Sequence, residues 1–156
     1  MQNYVIELRE VVEAAYSELI AIPDAASARR ANDDRWSPRE VIGHLIDSAS
    51  INHQRFVRAQ FQDDLIFPTY EQEDWVRVQR YGDAPWDELL SLWRSYNLHI
   101  AHVMASAPED VRRRKRTAHN FHRIGWQAVA EGEPATLDYL MRDYVGHLKH
   151  HLRQIL

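Results

Sequence analysis

The sequence predicts an all-α fold, an up-and-down four-helix bundle, and three observations predict it. Four segments repeat apolar residues at three- and four-residue spacing, as helices with one buried face do. No segment shows the sustained apolar–polar alternation of a half-buried strand. Glycine and proline are sparse, five and six among 156 residues, so the chain has few enforced turns. At this length a single domain, residues 1–156, is expected, burying roughly 68–70% of the unfolded chain's surface.

The first helix is predicted from about Gln2 to Ile22, on a stripe of Tyr4, Leu8, Val11, Val12, Ala15, Leu19 and Ile22, and Pro23 ends it. The second starts at Ser37-Pro38-Arg39-Glu40. Here Ser37 can cap the Glu40 amide, Pro38 suits the first helical position and Glu40 can reach back to the Ser37 amide. Its stripe is Val41, His44, Leu45, Ser48, Asn52 and Phe56, continuing to about Gln60. The third opens at Pro85-Trp86 and runs to Ala107, on Leu89, Leu92, Trp93, Tyr96, Ile100, Val103 and Ala107. The last starts at Thr136, an N-cap after Pro134, and carries Leu137, Leu140, Tyr144, His147, Leu148, His151, Leu152 and Ile155. The two intervening stretches, 65–84 and 108–135, are too long for bare loops, so each is expected to hold a short helix or an irregular packed segment.

Composition narrows the function. Nineteen Lys and Arg against 23 Asp and Glu leave a net charge of −4. A chain that works by neutralising phosphates is normally basic, so nucleic acid is not an expected partner. No apolar run approaches the roughly 20 residues needed to cross a membrane. Cysteine is absent, which excludes disulfides, thiolate metal sites and a cysteine nucleophile. The N-terminal residues lack an apolar signal core, so a cytoplasmic location is the expectation.

Histidine is the unusual component, nine residues in all. His147 and His151 are four apart and project from one side of the last helix, the apolar side. His44 falls in line with Val41, Leu45 and Ser48 on the second helix. Each of these alone is equally well a core histidine whose nitrogens find a carbonyl or hydroxyl. Together they ask a small core to satisfy both nitrogens of three rings, at about 1–3 kcal/mol for each unmet group. A divalent cation takes one nitrogen from each ring and removes the difficulty, and bundle cores are where such folds build metal sites. Of the others, His99 is a reserve fourth ligand and His150 reads as flanking the stripe. His53 falls on the opposite face, facing solvent or a partner, while His102, His119 and His122 read as surface or loop residues. The basic run Arg112–Arg116 reads as a solvated loop edge.

Two segments carry a family resemblance. Trp36-Ser37-Pro38-Arg39-Glu40-Val41-Ile42-Gly43-His44-Leu45-Ile46-Asp47-Ser48 resembles the start of the second helix in DinB-like (YfiT-like) proteins, and residues 143–155, which contain His147 and His151, resemble that family's C-terminal motif. The two motifs cover about a sixth of the chain, and the helix order and spacing agree over nearly all of it. The resemblance implies a four-helix bundle whose three histidines, here His44, His147 and His151, hold a divalent metal. It also implies a homodimer and a metal-dependent enzyme, either a hydrolase or an S-transferase using a low-molecular-weight thiol.

Three protein nitrogens leave coordination positions open, as in catalytic zinc sites. Zn is the first expectation for the metal and Ni the second. An open position serves hydrolysis of a small-molecule substrate, or binds a substrate thiol for transfer. Asp47, three residues after His44, can orient a ring or act as a base. Asp143, four before His147, can serve that ring's free N–H. Tyr144 can turn its hydroxyl toward the metal or stay in the core. An ordinary imidazole pKa near 6.5 predicts metal loss as pH falls toward about 5–6. The alternative function is a non-catalytic metal- or small-ligand-binding dimer module, and His99 as a fourth ligand would favour a structural site.

Overall fold

The computed structural model describes residues 1–156. Its helices are α1 (Asn3–Leu19), α2 (Asp24–Ser27), α3 (Pro38–Arg58), α4 (Gln72–Gln79), α5 (Trp86–Ser106), α6 (Glu109–Arg113), α7 (Phe121–Ile124) and α8 (Leu137–Leu152), with one 3-10 turn at Tyr81–Asp83. There is no sheet, only two isolated bridges, Leu65 with His119 and Arg116 with Ala135. No helix is long and apolar enough to cross a membrane.

The four long helices start and stop where their local chemistry directs. Ser37 Oγ accepts the Glu40 amide and the Glu40 carboxylate accepts the Ser37 amide, a complete capping box with Pro38 in the first turn. Thr136 Oγ1 accepts the Tyr139 amide at the head of α8. α1 ends at Leu19, short of the expected Ile22, and α2, which the apolar spacing did not reveal, follows Pro23. On α5, Trp93 is fully buried while Leu92, expected on the inner stripe, is 51% exposed. Neighbouring residues on a helix point about 100° apart, and the larger ring takes the core.

α1 packs against α5 and α8, and α3 packs against the same two helices, so the order around the bundle is α1, α5, α3, α8. α1 and α5 are antiparallel, joined by Glu13 with Arg94 and by Trp86 Nε1 donating to the Leu19 carbonyl. α3 and α8 are also antiparallel, with His44 facing His151 and Phe56 facing Tyr144. α3 and α5 run parallel. Arg39 at the head of α3 donates to the Gly82 and Ala84 carbonyls just before α5, and His53 lies beside Tyr96 and His99 further along both. The four-helix bundle is therefore as expected, but this pair departs from a strict up-and-down course. The chain must return the length of α3 before α5 begins, and residues 59–85 are that return.

The long connections hold α4, α6, α7 and the 3-10 turn, as their length required. They are tied to each other: the Leu65 amide donates to the Ala118 carbonyl, and the Asn120 side chain bonds both the amide and the carbonyl of Phe67. Two readings of the second connection are corrected. Arg112 and Arg116 are buried, the first ion-paired with Asp138 at 2.6 Å, the second donating to the Ala59 carbonyl, so only Arg113, Arg114 and Lys115 of the basic run face solvent. His119 is buried too, its Nε2 donating to the Glu133 carbonyl and its Nδ1 accepting the Phe121 amide.

Removing the α3 cap tests the local account. Ser37→Ala is expected to lower stability by about 1 kcal/mol and Tm by about 2–4 °C in thermal denaturation. An unchanged Tm would show that packing alone sets the start of α3.

Candidate metal centre

α3 and α8 position the site. Every residue from Val41 to Ala49 is buried, so the N-terminal half of α3 is enclosed on all sides, and His44 lies within it with no exposed surface. Antiparallel to it, α8 presents His147 and His151 one turn apart, both half-buried. One ring nitrogen from each of the three histidines lies within 4.8 Å of the others. The Nε2 atoms of His44 and His147 are 3.3 Å apart. Ring centroids are 4.5 Å apart for His44 and His151, 4.5 Å for His147 and His151 and 5.2 Å for His44 and His147, each pair edge to face.

The outer nitrogens indicate which atoms face the centre. His151 Nδ1 lies 3.0 Å from Gln154 Oε1, and His147 Nδ1 lies 3.5 Å from Ser48 Oγ. That leaves Nε2 of both rings for the centre. His44 Nδ1 has no partner at all.

Burial lowers the pKa of all three rings. His44 is brought down to about 3 by desolvation and by the neighbouring His151, and His147 to about 3 by desolvation and the adjacent histidines. His151 is also lowered, chiefly by desolvation, against a bond from Gln154 that favours its charged form. All three are therefore neutral near pH 7, with lone pairs available to a cation. Proton competition consequently falls at more acidic pH than an exposed imidazole would give, below the expected pH 5–6.

This arrangement fits a divalent ion. Two ligand nitrogens about 2.0–2.1 Å from a tetrahedral ion lie about 3.3–3.4 Å apart, which the His44–His147 separation matches. Without an ion, two neutral nitrogens meet with one hydrogen at most between them, and the third ring adds another lone pair.

Aromatic rings enclose the centre from three directions. Trp36 lies 5.1 Å from the His44 ring and 6.4 Å from His151. Tyr81 packs on Gly43, where a Cβ would come within 2.1 Å of its ring, and Trp126 packs on Gly146, where a Cβ would come within 2.7 Å. Each glycine immediately precedes a histidine of the triple and lets a ring lie flat against the helix beside it. Sequence reasoning did not assign these two glycines, and their position next to His44 and His147 was the available signal.

The remaining candidates lie elsewhere. Asp47 accepts from Tyr81 Oη at 2.7 Å and Gln79 Nε2 at 2.8 Å, with no histidine on its carboxylate, and desolvation raises its pKa. Asp143 accepts the Trp126 and Gln127 amides instead of serving His147, and desolvation raises its pKa as well. The Tyr144 hydroxyl is buried and donates to Asn97 Oδ1 at 2.5 Å, away from the histidines. His99 is no fourth ligand, since it is exposed on α5, where it meets the His53 ring edge to face and stacks with His102. His53 bonds the Tyr96 hydroxyl on that same side. His150 is exposed, its ring 5.2 Å from that of His151 and 5.7 Å from that of Trp126.

The triple opens outward. A pocket of about 460 Å³ is lined by His147 and His151, by Ser48, Asn52 and Arg55 of α3, and by the 69–72 and 123–126 segments of the two connections. Its lining is mostly polar, and His150 stands at its edge.

The family model described as the DinB superfamily matches residues 7–155. No curated protein matches the sequence. Among solved structures, YfiT from Bacillus subtilis, described as a probable metal-dependent hydrolase with an unusual four-helix bundle topology, is similar at a TM-score of 0.76 and 20% identity, over 97% of this chain and 81% of that one. A mycothiol-dependent maleylpyruvate isomerase is similar at a TM-score of 0.67 and 11% identity, over 98% of this chain and 62% of that one. At such identities the likeness is one of fold.

Two outcomes follow from the site's packing. In an open helix Gly→Ala stabilises by about 1 kcal/mol, but Gly43→Ala must push the buried Tyr81 ring aside and is expected to destabilise by about 1–3 kcal/mol in denaturant unfolding. Gly146→Ala meets the far edge of a more exposed Trp126 and is expected to cost less. A stabilised Gly43→Ala protein would refute the packing. The lowered pKa values also set an acid response. The unfolded chain binds protons on these histidines from about pH 6.5 down, while in the folded, metal-free chain desolvation keeps His44 and His147 neutral until the pH approaches about 3. Stability is therefore full above pH 6.5, and Tm of the metal-free protein is expected to fall steadily from there to pH 4. A Tm unchanged across that window would mean the rings are not desolvated.

Proposed function

The chain belongs to the DinB superfamily, and from that premise we propose that it is a metal-dependent enzyme acting on a small molecule, with His44, His147 and His151 holding one divalent ion. The observation that carries this reading is the convergence of three neutral ring nitrogens, those of His147 and His151 lining an open pocket and that of the enclosed His44 behind them, with no fourth histidine or carboxylate in the cluster. Closed four-ligand sites are structural, whereas three protein ligands beside a pocket leave a position for substrate. Nitrogen donors suit Zn first and Ni second. When bound, the ion supplies a Lewis acid that polarises a substrate oxygen and acidifies a water or thiol.

The chain's own residues supply positioning and proton handling. Ser48 and Gln154 hold the outer nitrogens of His147 and His151, which orients both rings toward the centre. Trp36 covers the inner rings and limits water on that side. His150 lines the pocket beside His151 and is the group placed to take the proton of the attacking water or thiol. Asp47 and Tyr144 are engaged by Tyr81, Gln79 and Asn97 and take no part in that transfer. The reaction class is hydrolysis or S-transfer, and with no cysteine in the chain any reacting thiol arrives as a co-substrate.

Purified without a histidine tag, or reconstituted with Zn or Ni, the protein is expected to carry about one ion per chain by elemental analysis. His151→Ala is expected to lose it and His99→Ala to keep it. Failure of the wild type to take up Zn or Ni would overturn the reading. In assays of ester hydrolysis and of thiol addition to a chromogenic electrophile, His150→Ala is expected to lower kcat by about 10²-fold or more with metal content unchanged.

A further inference from the structure

One buried cation in the pocket has no counter-charge. Arg55 is 6% exposed, and no carboxylate lies within 4.0 Å of it. Its guanidinium makes two long bonds to neutral acceptors, Asn52 Oδ1 at 3.4 Å and the Pro68 carbonyl at 3.2 Å, and its Nε has no partner. A buried charge is normally paired, because desolvation is otherwise uncompensated. The protein follows that rule at Arg39, paired with Asp24, and at Arg112, paired with Asp138. Arg116 is also unpaired, but it does not line the histidine pocket. Arg55 does.

The stripe on α3 gives the charge its direction. Ser48, Asn52 and Arg55 recur at four- and three-residue spacing on one helix face, and all three line the pocket. They are hydrogen-bonded in sequence: His147 Nδ1 to Ser48 Oγ, Asn52 Nδ2 to Ser48, and Arg55 to Asn52 Oδ1. The seven helical steps from Ser48 to Arg55 span about 10 Å. Histidines therefore stand at one end of this polar floor and a guanidinium at the other. Of the other charged groups in the lining, Arg123 is a second cation, and the one carboxylate, Asp143, is engaged by two backbone amides.

We propose that Arg55 binds an oxyanionic group of the substrate, a carboxylate or a phosphate, so that the molecule lies along the Ser48–Asn52–Arg55 floor with its reacting end at the histidines. A guanidinium presents a planar fork of N–H donors that matches either anion, and a bound oxyanion supplies the counter-charge the fold omits. This substrate class rests on the reading of the pocket as the enzyme's substrate site.

The test is thermal shift and calorimetric titration of the full chain, metal-free and metal-loaded, at constant ionic strength. The probes are glutarate, inorganic phosphate and neutral glutaramide. One of the two anions is expected to raise Tm in a saturable way without metal, while glutaramide does not. Preference for glutarate assigns a carboxylate, and preference for phosphate assigns a phosphoryl group. Arg55→Met is expected to raise the basal Tm by removing an uncompensated charge, to abolish the anion response and to leave metal content unchanged. A purely structural Arg55 would instead lower the basal Tm on replacement. Should Arg55→Met fail to fold, Arg55→Lys is read, with an expected loss of affinity of at least tenfold. No anion response in the wild type, or an undiminished one in the variant read, overturns the proposal. Measurement without metal keeps the two readings apart, since anion binding is judged there whether or not the histidines take up an ion.

Discussion

The antiparallel contact between α3 and α8 is the constraint on which the site depends. It brings three imidazoles together where water is largely excluded, and burial there holds them neutral, His44 and His147 at about 3. A protonated ring at the centre would face two others across 4.5–5.2 Å with no anion to receive it. Neutral rings leave converging lone pairs instead, and a cation is the partner that satisfies them together. The strain on the bare fold and the capacity to hold a metal are thus one feature.

Aromatic packing maintains that contact. Gly43 and Gly146 remove the side chains that would hold Tyr81 and Trp126 off the helices, and Trp36 covers His44 and His151 from another side. Tyr81 reaches past Gly43 to donate to Asp47, which ties the 3-10 turn before α5 to the turn of α3 that carries His44. The parallel course of α3 and α5 adds a second consequence. The return between them, with the connection from α5 to α8, forms the walls of the pocket over the polar face of α3.

Much of this was legible in the sequence because it is local. Capping at Ser37 and Thr136 depends on residues within one turn, and the shared side of His147 and His151 follows from helical spacing alone. His44 stood out because it falls in line with Val41 and Leu45 on the apolar stripe of its helix. What could not be read were the partners of long polar side chains. Arg112 and Arg116 sit in a run that looks solvated, yet Asp138 and the Ala59 carbonyl draw them inward. His119 is buried because Glu133 and Phe121 supply both its ring nitrogens. Tyr144 bonds Asn97, 47 positions away.

The sequence by itself determined the four long helices, the caps at Ser37 and Thr136, the length of the connections and the three histidines on two inward faces, since each follows from spacing within a few turns. Tertiary structure alone decided that α3 and α5 run parallel, that His99 turns away from the centre, that Asp47 and Asp143 serve a tyrosine and a loop, and that Arg55 is left without an acid. Those outcomes depend on which distant groups meet across the bundle, and helical periodicity carries no information about partners separated by tens of residues.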